Sequence, residues 1–335
     1  MPSTLPGVPD IDEQLGSSIV ERLGAIEERL RESVSTSDEM ARWTARHLMD
    51  AGGKRVRPML VLLAASLGDV DADGVLDAAV LVELTHLASL YHDDVMDSAP
   101  TRRGTDSAHA LWGNNVAILT GDFLFARASG LSARISTEAV RLHSATFERL
   151  CLGQLHETVG PRDADDPFEH YISVLSDKTA SLLALAGELG ASLSGAPAGS
   201  ADVMRRYGEK VGVAFQLADD VLDLESDAAT SGKTPGIDLR EGVPTMPTLL
   251  VRRRALSASD ARTLEIVKRL DGDLGSDESL GELVAMLRAD PALEETRVLA
   301  QRTADDAVGI LEELPAGAVR DALIAFTRTL VERRR

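Results

Sequence analysis

The sequence predicts an all-α fold, and three observations point to it. Apolar residues recur at helical spacing along nearly all of the 335 residues, convincing alternating strands are absent, and aromatic residues make up only 3% of the chain. A hydrophobic content of 44% is ample for a core. Because no linker or fixed-period repeat stands out, we expect a flexible arm over residues 1–16 and one domain over residues 17–335.

The predicted helices follow from caps, breakers and apolar spacing. Thr36 and Glu39 have the spacing of a capping box for a helix that runs to Asp50, and Pro58 suits the first turn of a buried helix over residues 58–67. Glycines and prolines mark the loops. Other helices are expected to end near Val34, to begin near Val75, to cover 114–135, 137–159, 168–193 and 201–224, and to continue as shorter helices to Arg334.

Charge, cysteine usage and hydropathy exclude several classes of protein. A net charge of −19 argues against a general nucleic-acid or anionic-membrane surface, because binding there requires Lys and Arg to neutralise phosphates. The single Cys151 excludes an intramolecular disulfide, and the N-terminus lacks the basic and apolar regions of a signal peptide. No uninterrupted apolar run reaches the roughly 18 residues of a membrane span. We therefore expect a cytoplasmic protein without a transmembrane segment.

Two copies of an aspartate-rich DDxxD box indicate the chemistry. Asp93 and Asp97 in the first box, like Asp219 and Asp223 in the second, are four residues apart, which places each pair on one face of a helix. Two carboxylates about 4 Å apart repel by roughly 4 kcal/mol at an effective dielectric near 20, so each pair calls for a cation. Oxygen ligands suit Mg²⁺, which shares its remaining positions with waters and substrate phosphates. One box alone could be a solvated acidic face, but two matching boxes favour a metal and phosphate site.

Basic residues near the first box are candidate phosphate contacts. Segment 52–58 combines two glycines, which let backbone approach a ligand, with three cations that include Lys54 and Arg57. Arg102 and Arg103 follow the first box after a short loop, and their guanidiniums can fork onto phosphate oxygens. The alternatives are an ordinary helix end and ordinary salt bridges with the aspartates. Together these residues predict a diphosphate site.

Six motifs in one order identify a family resemblance. They are GGKRVRP at 52–58, HDDVMD at 92–97 followed by two arginines, GDFLFARA at 121–128, DKTA at 177–180, FQLADDVLD at 215–223 and GKTPGIDLREG at 232–242. The chain resembles the trans-isoprenyl (polyprenyl) diphosphate synthases, as a medium- or long-chain member. The resemblance covers roughly residues 20–335. It implies an isoprenoid-synthase-type helical bundle around a deep central cavity, and a homodimer.

The resemblance also implies a head-to-tail condensation. An allylic diphosphate (geranyl, farnesyl or geranylgeranyl) ionises, the double bond of isopentenyl diphosphate attacks the carbocation, and the departing diphosphate takes the proton. Metal ions and fixed cations directed at the leaving diphosphate favour ionisation. The implied cofactor is Mg²⁺, in a cluster of about three ions, with Mn²⁺ as a substitute.

Residue roles carry over by motif position. The implied metal residues are Asp93, Asp97 and Asp219, with Asp94, Asp220 and Asp223 supporting them through water or hydrogen bonds. The implied contacts to the allylic diphosphate are Arg102, Lys178 and Lys233, and those to isopentenyl diphosphate, which needs no metal, are Lys54, Arg57, His86 and Arg103. Thr179 and Gln216 resemble residues near the reacting carbons, with helix packing as their alternative role. Val243 stands where the family often has a further lysine, which leaves that contact to Lys233.

Small residues before the first box predict a long product. Ala88 and Ser89 lie five and four residues before Asp93, on the helix face that the growing tail is expected to follow. In the family, aromatic residues at these positions floor the pocket of short-chain enzymes. One helical turn rises about 5.4 Å, comparable with one isoprene unit, so their absence predicts a product beyond C20, of about C30 to C50, as in quinone side chains. The next candidates for the floor are Leu81, Val82, Leu84 and Thr85, with Phe123 or Phe125 from a facing helix.

Three alternatives stay open. A shorter product would make the chain a geranylgeranyl or farnesyl diphosphate synthase. A class I terpene cyclase shares the fold and the first box, but usually carries a different metal triad in place of the second box and lacks the basic residues. A non-catalytic subunit of a heteromeric synthase would be expected to have lost a box or the basic residues.

Overall fold

Helices dominate the computed structural model, which describes residues 11–226, 235–257 and 260–332. Within these ranges the only sheet is a two-residue hairpin, in which β1 (Thr101–Arg102) pairs antiparallel with β2 (Thr105–Asp106). The all-α prediction is confirmed. The hairpin falls on the predicted loop after the first box, and its turn contains Arg103 and Gly104, both with positive φ.

The helix bounds follow the predicted apolar segments closely. From the N-terminus the helices are α1 (Glu13–Ser33), α2 (Glu39–Asp50), α3 (Val56–Ala65), α4 (Val75–Met96), α5 (Ala108–Trp112), α6 (Asn114–Ile135) and α7 (Thr137–Val159). They continue with α8 (Pro167–Leu175), a π-helical turn (Ser176–Ala180), α9 (Ser181–Leu193) and α10 (Ser200–Glu225). The last are α11 (Ile237–Glu241), α12 (Met246–Ser257), α13 (Ala261–Leu270), α14 (Asp277–Arg288), α15 (Pro291–Ile310), a 3₁₀ turn (Leu311–Glu313) and α16 (Ala318–Val331).

The described residues fall into two compact units. Unit 1 comprises those within Met1–Leu150, Ser181–Glu209 and Ile310–Phe326, and unit 2 those within Cys151–Ala180, Lys210–Gly309 and Thr327–Arg335. The first aspartate box lies in unit 1 and the second in unit 2. A single domain over residues 17–335 stays a prediction.

Helix α4 forms the centre of unit 1 and carries the first box at its C-terminal end. It packs against α1, α3, α6 and α9, and most of its residues up to Ala88 are buried. Helix α6 approaches it closely at Gly121, where an added Cβ would lie 2.3 Å from Nε2 of His92 and 3.1 Å from the carbonyl oxygen of Ala88. An added side chain would require His92 and the neighbouring backbone of α4 to shift, so glycine favours the close approach of α6 to the box-bearing end of α4.

Unit 2 has its own apolar core around the C-terminal half of α10. Leu217 of α10 belongs to one buried cluster with Tyr171 of α8, Met246 of α12, Ile266 of α13 and Leu283 of α14. Burying a Leu, Ile or Met side chain contributes about 1.5–3 kcal/mol. This cluster therefore holds the helix that carries the second box.

Two local predictions near the N-terminus differ from the structure. Asp38, and not the predicted Thr36, caps α2: its Oδ1 accepts a hydrogen bond from the N–H of Ala41 at 2.8 Å. Thr36 instead accepts from the N–H of Asp38 at 3.3 Å, because it lies two residues before the N-cap position. Helix α1 begins at Glu13, inside the predicted arm, and the first ten residues of that arm lie outside the described residues.

The predicted single helix over residues 168–193 is interrupted. The π-helical turn Ser176–Ala180 separates α8 from α9 and contains the DKTA motif. The turn coincides with four consecutive polar residues, 176–179, which the prediction took as part of one continuous helix. Such turns occur frequently at functional sites.

One helix in the described ranges could span a membrane by length and composition. It is Asn114–Ile135 (α6), whose most apolar 18-residue window is 39% buried. The sequence prediction counted uninterrupted apolar runs, whereas an averaged hydropathy tolerates the charges within this helix. Core helices of soluble proteins pass the same test, so the observation is weak evidence for a span.

Candidate active site

The first aspartate box occupies the last turn of α4. The N–H of Asp97 donates to the carbonyl oxygen of Asp93 at 2.8 Å, so the two residues lie one helical turn apart, as their spacing predicts. Asp93 is half-buried and Asp97, the C-cap residue, is exposed. Their carboxylates therefore share a helix face at the surface of unit 1.

Asp94 in the same box is directed inward and holds Arg102. It is fully buried, and its Oδ1 accepts a hydrogen bond from Nε of Arg102 at 2.6 Å. Its Oδ2 is buried and has no hydrogen-bond partner among the residues that the structure describes. Loss of water raises the pKa of Asp94, and Arg102 opposes that shift. The salt-bridge alternative thus holds for Arg102 in this structure, and the bond fixes a guanidinium beside the box.

A second group of basic side chains lies in unit 1. It comprises Lys54, Arg57, His86 and Arg103, and we call it the basic grip. Arg57 and His86 are half-buried, and the side chain of Arg103 is 16% exposed. Desolvation lowers the pKa of Arg57 to about 10, with Arg103 adding to the shift and Glu83 opposing it. Desolvation, together with Arg57 and Arg103, lowers the pKa of His86 well below its usual value. His86 is therefore a neutral imidazole at neutral pH.

The basic grip contains a buried donor that the rest of the protein does not satisfy. Nε of Arg57 is buried without a hydrogen-bond partner in the described part of the chain. Leaving such a group unpaired costs about 1–3 kcal/mol, and more when the group is charged. Lys54 is exposed in the loop before α3. This arrangement suits an anion that accepts hydrogen bonds from several cations at once.

The second aspartate box lies on the last turns of α10 in unit 2. Asp219 and Asp223 are half-buried, with the predicted helical spacing. The N–H of Gly236 donates to the carbonyl oxygen of Asp223 at 3.1 Å, so the residue just before α11 is bonded to the box. Lys233 lies outside the described residues. Val243 is half-buried and its N–H donates to the carbonyl oxygen of Asp238 at 2.9 Å.

Asp220 joins three helices of unit 2. It is 5% exposed, and its Oδ2 accepts hydrogen bonds from the hydroxyl of Tyr171 at 2.7 Å and from the N–H of Met246 at 2.8 Å. Burial raises its pKa to about 8, and the two hydrogen bonds oppose that shift. Asp220 thus connects α10 with α8 and α12, and its support of a metal stays a prediction.

The π-helical turn presents Lys178 in unit 2. Its Nζ pairs with Oε2 of Glu157 on α7 at 2.5 Å. Helix α7 approaches the turn at Gly153, where an added Cβ would lie 2.7 Å from the backbone nitrogen of Lys178. Thr179 is 8% exposed and Gln216 of α10 is half-buried.

The residues predicted to set product length line a buried face of α4. Ala88 is fully buried, and Ser89 is half-buried with its hydroxyl donating to the carbonyl oxygen of His86 at 2.9 Å. One turn earlier, Leu84 and Thr85 are fully buried, and Oγ1 of Thr85 lies 3.0 Å from Nε2 of His143 on α7. Of the facing aromatic candidates, Phe125 packs against Phe147 with ring centroids 4.2 Å apart and Phe123 packs against Arg127.

The carboxylates fit a divalent ion whose coordination a ligand completes. Among the described residues, no group of three or more His, Cys, Asp or Glu side chains is close enough to hold a metal by itself. Each box offers two carboxylates on one helix face, and Mg²⁺ usually takes one or two protein carboxylates together with waters and substrate phosphates. Each donor set therefore suits a diphosphate-bound ion: Asp93 and Asp97 would hold one in unit 1, and Asp219 and Asp223 would hold one in unit 2.

Sequence reasoning missed several residues of this region. Glu83, Glu157 and Tyr171 contact Arg55, Lys178 and Asp220 respectively. An acidic residue inside the apolar segment of α4 was a usable signal for Glu83, because a buried carboxylate requires a cation. The partners of Glu157 and Tyr171 are 21 and 49 residues away in the chain, and spacing alone does not identify them.

Comparison with known proteins places the chain in a recognised family. The model of the polyprenyl synthetase family matches residues 38–284. The nonaprenyl diphosphate synthase of Mycobacterium tuberculosis is 40% identical over 331 residues, which cover 97% of this chain and 98% of that protein.

Solved structures agree with the sequence comparison. A polyprenyl synthase from Caulobacter crescentus, in complex with calcium and isoprenyl diphosphate, has a TM-score of 0.88 and 33% identity over 96% of this chain and 98% of that one. A geranylgeranyl pyrophosphate synthase from Corynebacterium glutamicum, also with calcium and isoprenyl diphosphate, has a TM-score of 0.84 and 39% identity over 96% and 98%. Enzymes named for long and for short products are thus similar to this chain.

Proposed function

Because the chain belongs to the polyprenyl synthetase family, we propose that it condenses isopentenyl diphosphate head to tail with an allylic diphosphate, giving a longer all-trans polyprenyl diphosphate. The observation that most directly supports this function is in unit 1. There the first aspartate box, with Arg102 fixed by Asp94, lies on the same helix as His86 of the basic grip. The carboxylate pair can hold a metal ion for the allylic diphosphate, which must ionise. The separate cluster of basic residues can hold isopentenyl diphosphate, which must not.

Different residues of unit 1 would bind the two diphosphate substrates. Asp93 and Asp97 of the first aspartate box would hold a divalent ion, which would supply positive charge against the leaving diphosphate. Arg102 would hold the same leaving group through guanidinium nitrogens not used by Asp94. The basic grip would bind isopentenyl diphosphate without metal, with Arg57 and Arg103 as charged donors and His86 as a neutral donor.

The residues of unit 2 would complete the ionisation. Lys178, from the π-helical turn, would contact the allylic diphosphate, and Glu157 holds its ammonium group in place before substrate arrives. Thr179 and Gln216 would place neutral dipoles near the allylic carbons, where they stabilise positive charge without trapping it. The departing diphosphate would accept the proton from the new chain.

Product length is proposed from the residues of α4. Both positions before the first box that would hold aromatic side chains in a short-chain enzyme are small here, Ala88 and Ser89. A product of about C30 to C50 follows, since each turn of helix at about 5.4 Å admits roughly one more isoprene unit. The name of the 40% identical Mycobacterium tuberculosis relative, a nonaprenyl diphosphate synthase, supports this range.

We further propose Mg²⁺ as the cofactor, a cytoplasmic location and a homodimer. Mg²⁺ fits the all-oxygen donor set, and calcium in two solved relatives supports a divalent ion. The single cysteine, which is typical of proteins in a reducing compartment, supports the location. Exposed apolar side chains on α5 and α6, namely Leu111, Ile118 and Leu119, support association of two copies.

Incubation with farnesyl diphosphate, isopentenyl diphosphate and Mg²⁺, followed by mass spectrometry, tests the reaction. We expect polyprenyl diphosphates of about C30 to C50, no product with EDTA, and recovery when Mg²⁺ or Mn²⁺ is restored. A C15 or C20 end point would identify a short-chain synthase. Cyclised hydrocarbon would identify a cyclase, and no turnover of the isolated chain would identify a subunit that needs a partner.

A further inference from the structure

Glu83 is a buried carboxylate that no role described so far explains. It lies in the middle of α4, is 2% exposed, and precedes His86 of the basic grip by three residues. Its Oε1 accepts a hydrogen bond from Nη1 of Arg55 at 2.7 Å and lies 3.9 Å from Nη2 of Arg103. One carboxylate oxygen thus faces two guanidiniums, one of which belongs to the basic grip.

Arg55 forms hydrogen bonds within the protein through all three guanidinium nitrogens. It is 8% exposed, and besides Glu83 it donates to both carboxylate oxygens of Glu27 on α1 and to the carbonyl oxygen of Met49 at 3.1 Å. These bonds use the Nε and both terminal nitrogens of the guanidinium. Arg55 therefore anchors Glu83 and is not itself oriented to take a substrate.

Arg103 is held from two sides. Its Nη1 donates to the carbonyl oxygens of Leu48, at 2.9 Å, and of Gly52. Its guanidinium lies against Gly53, where an added Cβ would come within 3.0 Å of Cζ. The carbonyls fix one edge of the guanidinium, and Glu83 attracts Nη2 on the other.

The backbone here is held in an unusual conformation. Arg55 and Arg103 have φ of 47° and 54°, and they are two of the three non-glycine residues with positive φ in the described ranges. Such conformations are unfavourable for residues with a side chain and persist only where the surroundings fix them. We call Glu83 with Arg55 and Arg103 the Glu83 cluster. Its contacts hold the backbone of Arg55 and of Arg103 in this conformation.

Charge balance gives Glu83 a second effect. Arg55, Arg57 and Arg103 interact electrostatically, and each is also influenced by Glu83. Concentrating guanidiniums in a partly desolvated region is unfavourable unless an anion is present. Glu83, which is 2% exposed, provides that anion from inside the protein.

We propose that Glu83 is a positioning residue for isopentenyl diphosphate: through its contacts with Arg55 and Arg103 it holds the basic grip in its binding geometry before the substrate arrives. The inference rests on the proposed function, since it takes the basic grip as the isopentenyl diphosphate site. A residue with this role should affect one substrate and not the other.

The test is the variant Glu83→Gln, which keeps shape and removes charge. We expect KM for isopentenyl diphosphate to rise by about tenfold or more, while KM for farnesyl diphosphate changes by less than about twofold. Calorimetric titration with isopentenyl diphosphate alone, without metal, should show the same loss. An unchanged KM for isopentenyl diphosphate, or equal changes for both substrates, would overturn the proposal.

Two further variants separate positioning from a purely structural role. Glu27→Gln removes the other carboxylate on Arg55, which acts on Arg103 through its charge and less strongly than Glu83 does, and we expect KM for isopentenyl diphosphate to change by less than about twofold. In Arg55→Gln/Glu83→Gln both partners of the buried pair are neutral, which favours folding if the single variant is unstable. The defect should persist in this double variant, because Arg103 still lacks its carboxylate. Recovery of the wild-type KM, or an equal defect in Glu27→Gln, would show that only Arg55 needs Glu83.

The wild-type enzyme distinguishes this inference from the proposed function. If it elongates farnesyl diphosphate and the Glu83→Gln variant has the wild-type KM, only the inference is wrong. If the wild type yields no elongated product, the proposed function itself fails.

Discussion

At the scale of single residues, neighbouring aspartates in each box have different surroundings. Asp93 and Asp219 begin the boxes and are half-buried, whereas Asp94 and Asp220, the next residues, are buried and hydrogen-bonded inside the protein. Consecutive helical residues point about 100° apart, so one side chain can face a ligand while the next faces the core. The doubled aspartate thus combines a candidate ligand with a residue that anchors its surroundings.

Replacing Asp93 tests whether the first aspartate of the box is a metal ligand. We expect Asp93→Asn to lower kcat by about 10² to 10³-fold, because transition-state charge stabilisation of this size is typical of such groups. The melting temperature should change little, since the carboxylate is not buried. Asp73→Asn, an exposed aspartate in the loop before α4, is the matched control and should retain full activity. A fully active Asp93→Asn enzyme would remove Asp93 from the metal site.

Replacing Ala88 tests the role of α4 in setting product length. Ala88→Phe introduces an aromatic ring one turn before the box, and we expect the main product to shorten toward C15 or C20. Ala88 is fully buried, so overpacking should cost about 1–3 kcal/mol of stability, and the melting temperature must be measured alongside. Ser89→Ala keeps the position small and should leave the products unchanged. The same product distribution from Ala88→Phe would contradict the proposed tail path.

At the scale of secondary-structure elements, the interruption between α8 and α9 is the feature closest to the chemistry. The π-helical turn places Lys178 against Glu157, and α7 can approach it only because residue 153 is glycine. The position of Lys178 therefore depends on the packing of two elements.

A methyl group at Gly153 should disturb that turn. Its Cβ would lie 2.7 Å from the backbone nitrogen of Lys178, so the turn or α7 must shift, at a cost of about 1–3 kcal/mol. We expect Gly153→Ala to raise KM for the allylic diphosphate and lower kcat. Gly281→Ala in α14 of the same unit, where nothing lies within 4 Å, should be stabilising by about 0.5–1 kcal/mol and fully active. Equal behaviour of the two variants would show that the close approach is unimportant.

The sequence determined most elements but not their irregularities. The bounds of α6 and α7 match the predicted ranges, since long apolar periodicity leaves few alternatives. The cap of α2 was misassigned because Thr36 and Asp38 are both good capping residues, and only the backbone decides between them. The π turn coincides with the polar residues 176–179, a run that an exposed stretch of ordinary α-helix can also contain.

The candidate site was predictable where the residues of a motif are close in sequence. The pairing of Asp93 with Asp97 follows from helical geometry, and the bond from Arg102 to Asp94 spans only eight residues. The Glu83 cluster was not predictable, because Arg55 is 28 residues away and spacing does not say which charges meet. Long-range pairing is decided by helix packing, which the sequence specifies only collectively.

At the scale of the whole molecule, a strongly acidic chain exposes apolar side chains on adjoining helices. The net charge is −19, yet Leu119 on α6 is 66% exposed, beside Ile118 at 40%. Leu111 on α5 is 46% exposed. Exposed apolar residues that share one region mark interaction surfaces more often than scattered ones do. A second copy of the chain is the partner that the proposed homodimer requires.

Replacing Leu119 tests that surface. In a two-fold interface every substitution occurs twice, so Leu119→Glu would introduce two buried carboxylates into an already acidic pair of chains. We expect wild-type protein to elute with light-scattering mass near twice 35.7 kDa, and Leu119→Glu to elute as a monomer with its helical content retained. Leu256→Glu on α12, at a side chain that is 91% exposed, is the matched control and should stay dimeric. A monomeric wild type would contradict the homodimer, and a dimeric Leu119→Glu would place the interface elsewhere, because a carboxylate pair at its centre is too costly to bury unpaired.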